Sequence, residues 1–269
     1  MYRLIAIDLD GTLLTPRPTK IITPRTYQAL RQAAEKGITI VIATGQTLAV
    51  LQHTCAGLPL NGPQIIENGA IIADIHTGHI LHEKPIPPET ILPTLNTLRS
   101  FNLFRAYHNY QRVYVDSGTP RAREWYHPPV PSVIEVDDVA SLYPLPCIKL
   151  AAIGEESTLI AKRQELERIF AGKLYVTQSS FDLIEFLHPE VSKGNALKAI
   201  AEDLSIAPQE VVAIGDNHND IGMIRFAGLG VAMGNAHDEV KVQADYVTLS
   251  NAEEGVAVVI EELILPSLQ

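Results

Sequence analysis

Four short clusters of polar residues in this 269-residue chain are of types that could do chemistry together. Asp8 and Asp10 stand two apart and run into Gly11-Thr12. Thr44-Gly45 is the second cluster, Ser192-Lys193-Gly194 the third, and Gly215-Asp216-Asn217-His218-Asn219-Asp220 the fourth. Carboxylates gathered in one place repel one another and shift toward protonation. A hard divalent cation with oxygen ligands removes that cost, and Mg²⁺ suits a few carboxylates, waters and a substrate phosphate. Ser192 reads as a helix N-cap, with Ala196, Leu197, Ile200 and Leu204 as the apolar face that follows. A Lys in the first turn opposes the helix dipole, and an early Gly weakens the helix. Both choices make sense if an anion binds there, drawn by the ammonium and the helix N-terminus together. An anion, a divalent metal and an Asp at a strand end point to phosphoryl transfer through an aspartyl-phosphate. Asp10 is the decisive second acid: from that position it can protonate a leaving alkoxide and then activate water against the acyl-phosphate.

These clusters need strands to bring them together. Leu4-Ile5-Ala6-Ile7, Ile38 to Ile42 and Val211 to Ile214 are continuous apolar runs, each ending close to one of the clusters. Continuous apolarity marks strands covered on both faces, as in a parallel sheet. Between the first two, Thr23 and Pro24 open a helix that Gly37 ends, with Tyr27, Leu30 and Ala34 as its buried stripe. Strand, helix and strand within some forty residues form a right-handed crossover. Leu229 to Met233 and Tyr246-Val247 read as further short strands. The expected class is α/β, a Rossmann-like doubly wound parallel sheet, in which ligands bind beyond the carboxyl ends of the strands.

The middle of the chain differs. It holds most of the prolines, the only Trp (Trp125), and the alternating stretch Arg112-Val113-Tyr114-Val115. Alternation predicts a sheet with one wet face, with helices at Glu89 to Phe101 and Ser157 to Phe170 covering the other. The expected division is a core built from 1–84 and 189–269, interrupted by an inserted α+β domain over 85–188.

The four clusters, DLDGT at 8–12, ATG at 43–45, SKG at 192–194 and GDNHND at 215–220, resemble the ordered motifs of the haloacid dehalogenase-like superfamily. ENGA at 67–70, MGNA at 233–236 and Ala244 to Val247 resemble its Cof-type, type IIB phosphatases. The resemblance implies that Asp8 is the nucleophile and a Mg²⁺ ligand. It makes Asp10 the general acid/base, with its backbone carbonyl on the metal, and Asp216 the third protein ligand. Asn219 would face the phosphate, and Asp220 would stand just behind the ligands. Thr44, Lys193 and the backbone N–H groups of Leu9 and Gly45 would hold the transferring oxygens. The insertion would be a cap that supplies substrate contacts. The implied activity is hydrolysis of small phosphorylated metabolites: sugar phosphates first, FMN or pyridoxal phosphate next. A phosphomutase or phosphotransferase on the same scaffold, or a non-catalytic metabolite-binding protein, are the alternatives. Two positions depart from the family pattern. Gln46 replaces the Arg of ATGR, and Asn217-His218 stands where Gly with an acid is commoner.

Composition narrows the partners. The 31 acidic and 21 basic residues give a net charge of −10, which argues against nucleic acid. Two distant cysteines, Cys55 and Cys147, fit a reducing, cytoplasmic setting. No apolar run is long enough to predict a membrane span or a signal peptide. His76, His79 and His82 are spaced as a zinc set, but a hairpin turn at Thr77-Gly78 would put His79 and His82 on opposite faces. Tyr107, His108, Asn109, Tyr110 and Arg112 are readable as substrate contacts or as an aromatic strand packed on its own helices. Arg121, Arg123, Trp125, Tyr126 and His127 form a loop, either selecting substrate or running over the surface.

Overall fold

The computed structural model describes residues 1–110, 112–119, 133–180 and 183–268. They form two compact units, Met1–Leu81 with Ser192–Gln269, and His82–Val191. The first carries β1 (Leu4–Asp8), β2 (Thr39–Ala43), β3 (Gln64–Ile66), β4 (Ile71–Ala73) and β5 (Ile80–Glu83), the last running into the second unit. The second carries β6 (Phe104–His108), β7 (Val113–Asp116), β8 (Ile134–Val136), β9 (Lys149–Ile153), β10 (Tyr175–Ser180) and β11 (Leu183–Leu187). The chain then returns to the first unit with β12 (Val211–Gly215), β13 (Leu229–Ala232) and β14 (Tyr246–Val247).

The first sheet runs β14-β13-β12-β1-β2-β3-β4-β5. β1 pairs in parallel with β12 on one side and β2 on the other, so successive connections leave it in opposite directions. That reversal is the switch point where doubly wound sheets open a crevice at their carboxyl ends. β1 and β12 are buried at every position, as the continuous apolar runs require. β4 is antiparallel to β3 and makes the sheet mixed at that end.

The helix Pro24–Glu35 begins as expected: the Thr23 side chain accepts from the Thr26 N–H, and Pro24 takes the first position. Its buried face is Thr26, Ala29, Leu30 and Ala33. Tyr27 and Ala34 are only half-buried, so the stripe is rotated by one residue from the sequence reading. Small residues let the helix sit lower on the sheet than a Tyr-centred face would allow.

Gly194 has a structural reason different from the expected one. A Cβ there would lie 2.5 Å from the carbonyl carbon of Gly222, where the helix Lys193–Asp203 meets the helix Ile221–Phe226. The glycine permits backbone-to-backbone contact between two helices. Gly194→Ala should therefore destabilise the protein by about 1–3 kcal/mol through overpacking, even though Ala favours helix by ~1 kcal/mol. Urea denaturation checks this; an unchanged or raised midpoint would contradict it.

The second sheet runs β10-β11-β9-β6-β7-β8 and is antiparallel except for β7 with β8. Helices Pro88–Ser100 and Glu156–Phe170 bring Leu95, Leu98, Leu159 and Leu166 into a core with Tyr107, Leu150, Ile184 and Phe186. The expected wet face is not found on the central strands. β9 and β11 are buried throughout, and a second apolar cluster contains Ala106, Val113, Val115, Ala151 and Ile153. In the alternating stretch itself Arg112 is exposed and Tyr114 half-buried between the buried Val113 and Val115, while elsewhere in the sheet charged residues are paired instead of solvated. Lys149 Nζ donates to Glu185 at 2.6 Å with side chains 3% and 1% exposed, and Arg105 grips Asp116 with two hydrogen bonds of 2.6 and 2.8 Å. A buried charge persists only with such a partner.

Candidate active site

Asp8 is the last residue of β1, at the switch point. The chain leaves it in a wide turn, Leu9–Leu13, closed by the Leu14 N–H donating to Leu9 O at 3.0 Å. Gly11 sits at φ +90° inside that turn, and a Cβ on it would lie 2.4 Å from Asp216 Oδ2. Glycine is required twice, for its backbone conformation and for the close approach of a carboxylate. Thr12 Oγ1 donates to Asp216 Oδ1 at 2.8 Å, so the first cluster orients the fourth.

Lys193 comes from the first turn of the helix that Ser192 caps by accepting from the Asn195 N–H. Its Nζ donates to Asp8 Oδ1 at 2.5 Å and to Asp220 Oδ1 at 2.7 Å, and the side chain is 1% exposed. The ammonium thus bridges two carboxylates, more than the solitary anion lure that helix position alone implies. Asp220 is fully buried, and its Oδ2 accepts from the Asp216 and Asn217 N–H groups at 3.0 Å each.

Burial pushes the Asp8 carboxyl well above the usual range; Lys193 opposes this, while Asp220 and Asp216 add to it. Burial and the Asp220 charge push Asp216 up to about 6, against the Thr12 hydrogen bond. Burial alone would lower the Lys193 ammonium, yet Asp220 and Asp8 hold it above its ordinary value. One oxygen from each of Asp8, Asp216 and Asp220 lies within 4.8 Å of the others. Two buried acids, the half-buried Asp216, one ammonium and an all-oxygen donor set fit a hard divalent cation. The expected ligand side chains Asp8 and Asp216 are brought together here. Asp220, expected behind them, is in the same cluster. The Asp10 side chain is elsewhere: Lys20 Nζ donates to its Oδ1 at 2.5 Å and Gln46 Nε2 to its Oδ2 at 2.9 Å. Burial would raise Asp10, but the Lys20 charge and these hydrogen bonds hold it below the usual range.

The remaining expected residues lie on the segments that follow β1, β2 and β12. Thr44 follows β2, is buried, and accepts from the Gln46 N–H at 3.1 Å. Gly45 packs on the Asn68 side-chain amide, where a Cβ would come within 3.0 Å of Oδ1. Asn219 is buried and donates to Asn68 Oδ1 at 3.0 Å, while its own Oδ1 has no hydrogen-bond partner among the described residues. Leu9 opens the turn directly after Asp8. The exposed His218 lies beside His237, the rings tilted by 39° with centres 5.1 Å apart.

Thr12, Lys20, Gln46 and Asn68 take contacts that the sequence reading did not assign. Asn68 carried a signal: Asn-Gly favours a turn with positive φ, and Asn68 is at φ +57°. Lys20 carried none, being one charged residue in a Pro-rich loop. The histidine set is not a metal site here; the one candidate cluster among the described residues contains no histidine. Gly78 turns the chain at φ +72°, and His76 binds Leu60 O. Tyr107 is a core residue of the second unit, as the packing reading has it. Residues 121, 123 and 125–127 lie outside the described residues.

Comparison with known proteins matches this geometry to a family. The family model described as haloacid dehalogenase-like hydrolase covers residues 5–260. The chain is 34% identical to 5-amino-6-(5-phospho-D-ribitylamino)uracil phosphatase YcsE of Bacillus subtilis, over 98% of this chain and 96% of that one. It is 30% identical to pyridoxal phosphate phosphatase YbhA of Escherichia coli, over 95% of this chain and 96% of that one. A crystal structure of a haloacid dehalogenase-like hydrolase from Bacteroides thetaiotaomicron superposes with a TM-score of 0.85 at 32% identity, covering 98% of this chain and all of that one. With its sheet switch point, acid cluster and matched span, the chain belongs to the haloacid dehalogenase-like hydrolases, as a phosphatase of the Cof type.

Proposed function

We propose that this phosphatase is Mg²⁺-dependent and hydrolyses phosphomonoesters of small metabolites through a phosphoryl group carried on Asp8. The observation that supports it most is the meeting of Asp8, Asp216 and Asp220 around Lys193 at the switch point. The named substrates of two relatives, one a phosphorylated ribityl compound and one a phosphorylated pyridine, support small phosphorylated metabolites as the class. Sugar phosphates come first in this reading, with FMN and pyridoxal phosphate next.

Asp8, Asp216 and the Asp10 carbonyl would hold the metal, with Asp220 fixing them from behind. The bound ion supplies positive charge that draws off negative charge from the phosphoryl oxygens. An Asp8 oxygen attacks phosphorus as the ester P–O bond breaks, and Asp10, which takes up a proton from solvent once the substrate's negative charge is bound beside it, gives that proton to the leaving oxygen. A water then attacks the acyl-phosphate; Asp10 takes its proton, inorganic phosphate departs and Asp8 is restored. Lys193, Thr44, Asn219 and the N–H groups of Leu9 and Gly45 hold the oxygens in line during both transfers. The unit over His82–Val191 supplies the substrate contacts in this reading.

A hydrolysis screen over phosphorylated sugars, FMN and pyridoxal phosphate with Mg²⁺ tests the class. EDTA should remove turnover and excess Mg²⁺ restore it. Unimpaired hydrolysis after exhaustive chelation would contradict the metal assignment. Phosphate appearing on a second sugar in place of free inorganic phosphate would make the protein a transferase.

A further inference from the structure

The turn Glu67–Gly69 between β3 and β4 belongs to none of the four clusters, yet it touches the second, the third and the fourth. Its residues run at φ +50°, +57° and +100°, a conformation that side chains other than those of Asn and Asp seldom tolerate. The Asn68 N–H donates to Thr44 O at 2.9 Å and the Glu67 N–H to Gln46 O at 3.1 Å, which ties the turn to the segment after β2. A Cβ on Gly69 would lie 2.5 Å from the Ser192 carbonyl oxygen, so the backbone of the turn passes directly against the start of the Lys193 helix. The Asn68 side chain is fully buried and packs on Gly45, and its Oδ1 accepts from Asn219 Nδ2 at 3.0 Å. Asn219 is itself 7% exposed, and its Oδ1 has no hydrogen-bond partner among the described residues. The bond to Asn68 therefore decides which way round the Asn219 amide sits, because an amide oxygen accepts and only an N–H can be offered to it. A phosphoryl oxygen accepts as well. The second N–H on Asn219 Nδ2 suits it, whereas an amide turned over would present its carbonyl oxygen and repel it.

We propose that Asn68 is a positioning residue for phosphoryl transfer: it fixes the face of the Asn219 amide, so that an N–H and not the carbonyl oxygen meets the phosphoryl group. The turn that carries Asn68 is in turn held by the Thr44 and Ser192 segments, so the same contacts that join the clusters aim the amide. This inference rests on the reading of Asn219 as a phosphate contact.

A double-mutant cycle on p-nitrophenyl phosphate hydrolysis tests this. Asn219→Ala removes the contact itself and should lower kcat/KM about 10²-fold, the loss that goes with one donor to a transferring group. Asn68→Gly removes the orienting amide while glycine keeps the positive φ, and should lower kcat/KM about tenfold. The two losses should not multiply. Taking Asn68 from Asn219→Ala protein should cost less than about twofold, because no amide is left to aim. Asn68→Ser, whose hydroxyl stops one bond short of the amide's reach, should repeat the cycle and serves if Asn68→Gly does not fold. Losses that multiply, a loss in Asn68→Gly greater than in Asn219→Ala, or no loss in Asn68→Gly would overturn the positioning role alone. Unchanged kcat/KM in Asn219→Ala would overturn the phosphate contact and this inference with it.

Discussion

Asp8→Asn should abolish phosphatase turnover, lowering kcat by at least about 10³-fold while leaving the fold intact. An amide has the shape of the carboxylate but neither its charge nor an oxygen nucleophilic enough to attack phosphorus. Covalent catalysis then has no first step, and what remains is the residual rate that positioning and electrostatics give without a nucleophile, ~10³–10⁴ over water in the hydrolase precedent. Stability should not fall with it. Burial already pushes the Asp8 carboxyl toward its neutral form, so a neutral side chain removes repulsion from Asp216 and Asp220 while losing the ion pair to Lys193. Thermal melting alongside p-nitrophenyl phosphate kinetics checks both halves. Substantial turnover in well-folded Asp8→Asn protein would falsify the nucleophile assignment.

Lys193→Met should be the most damaging substitution for activity and stability together. The ammonium is buried, and it donates to Asp8 and Asp220 at once. Removing one partner from a buried ion pair costs about 3–5 kcal/mol, because the other charge is stranded. Losing charge stabilisation of the transferring phosphoryl group should lower kcat by a further ~10²–10³. The pH dependence has a definite sign. Carboxyls whose folded-state pKa is raised bind more protons folded than unfolded, so they destabilise the fold as pH rises through that range. Asp8 and Asp216 already lie on this side, and removing the ammonium moves Asp8 further. Lys193→Met protein, unfolded by urea in EDTA, should therefore lose less stability at pH 5 than at pH 8. An equal loss at the two values would contradict this account of the cluster.

The core was legible in the sequence because its signals are local and strong. Runs such as Leu4 to Ile7 and Val211 to Ile214 have no polar interruption, and each ends in acids that packing would not choose. The switch point at β1 follows from three such strands, and the clusters at their ends had to meet. What stayed hidden depends on contacts between distant residues. Lys20 reaches Asp10 only because its loop bends back, and nothing in Pro16 to Ile22 announces that. Gly194 reads as a weak helix start, and only the second helix at Gly222 reveals its purpose. In the inserted unit, the alternation at Arg112 to Val115 suggests a wet face for the whole sheet, because sequence cannot show that Lys149 and Glu185, on other strands, neutralise each other in the interior. The stripe of the helix Pro24–Glu35 was displaced by one residue because Tyr27 is large enough to suggest burial and amphipathic enough to stay at the edge.

The central claim is that phosphorus passes through the Asp8 carboxylate. Asp10→Asn protein should accept phosphate from p-nitrophenyl phosphate, whose leaving group needs no proton, but should be slow to activate the water that discharges it. Rapid acid quench followed by peptide mass spectrometry tests this directly. The account predicts a phosphoryl adduct on Asp8 in close to stoichiometric yield; an adduct on another side chain, or none while nitrophenolate is still released, would contradict it.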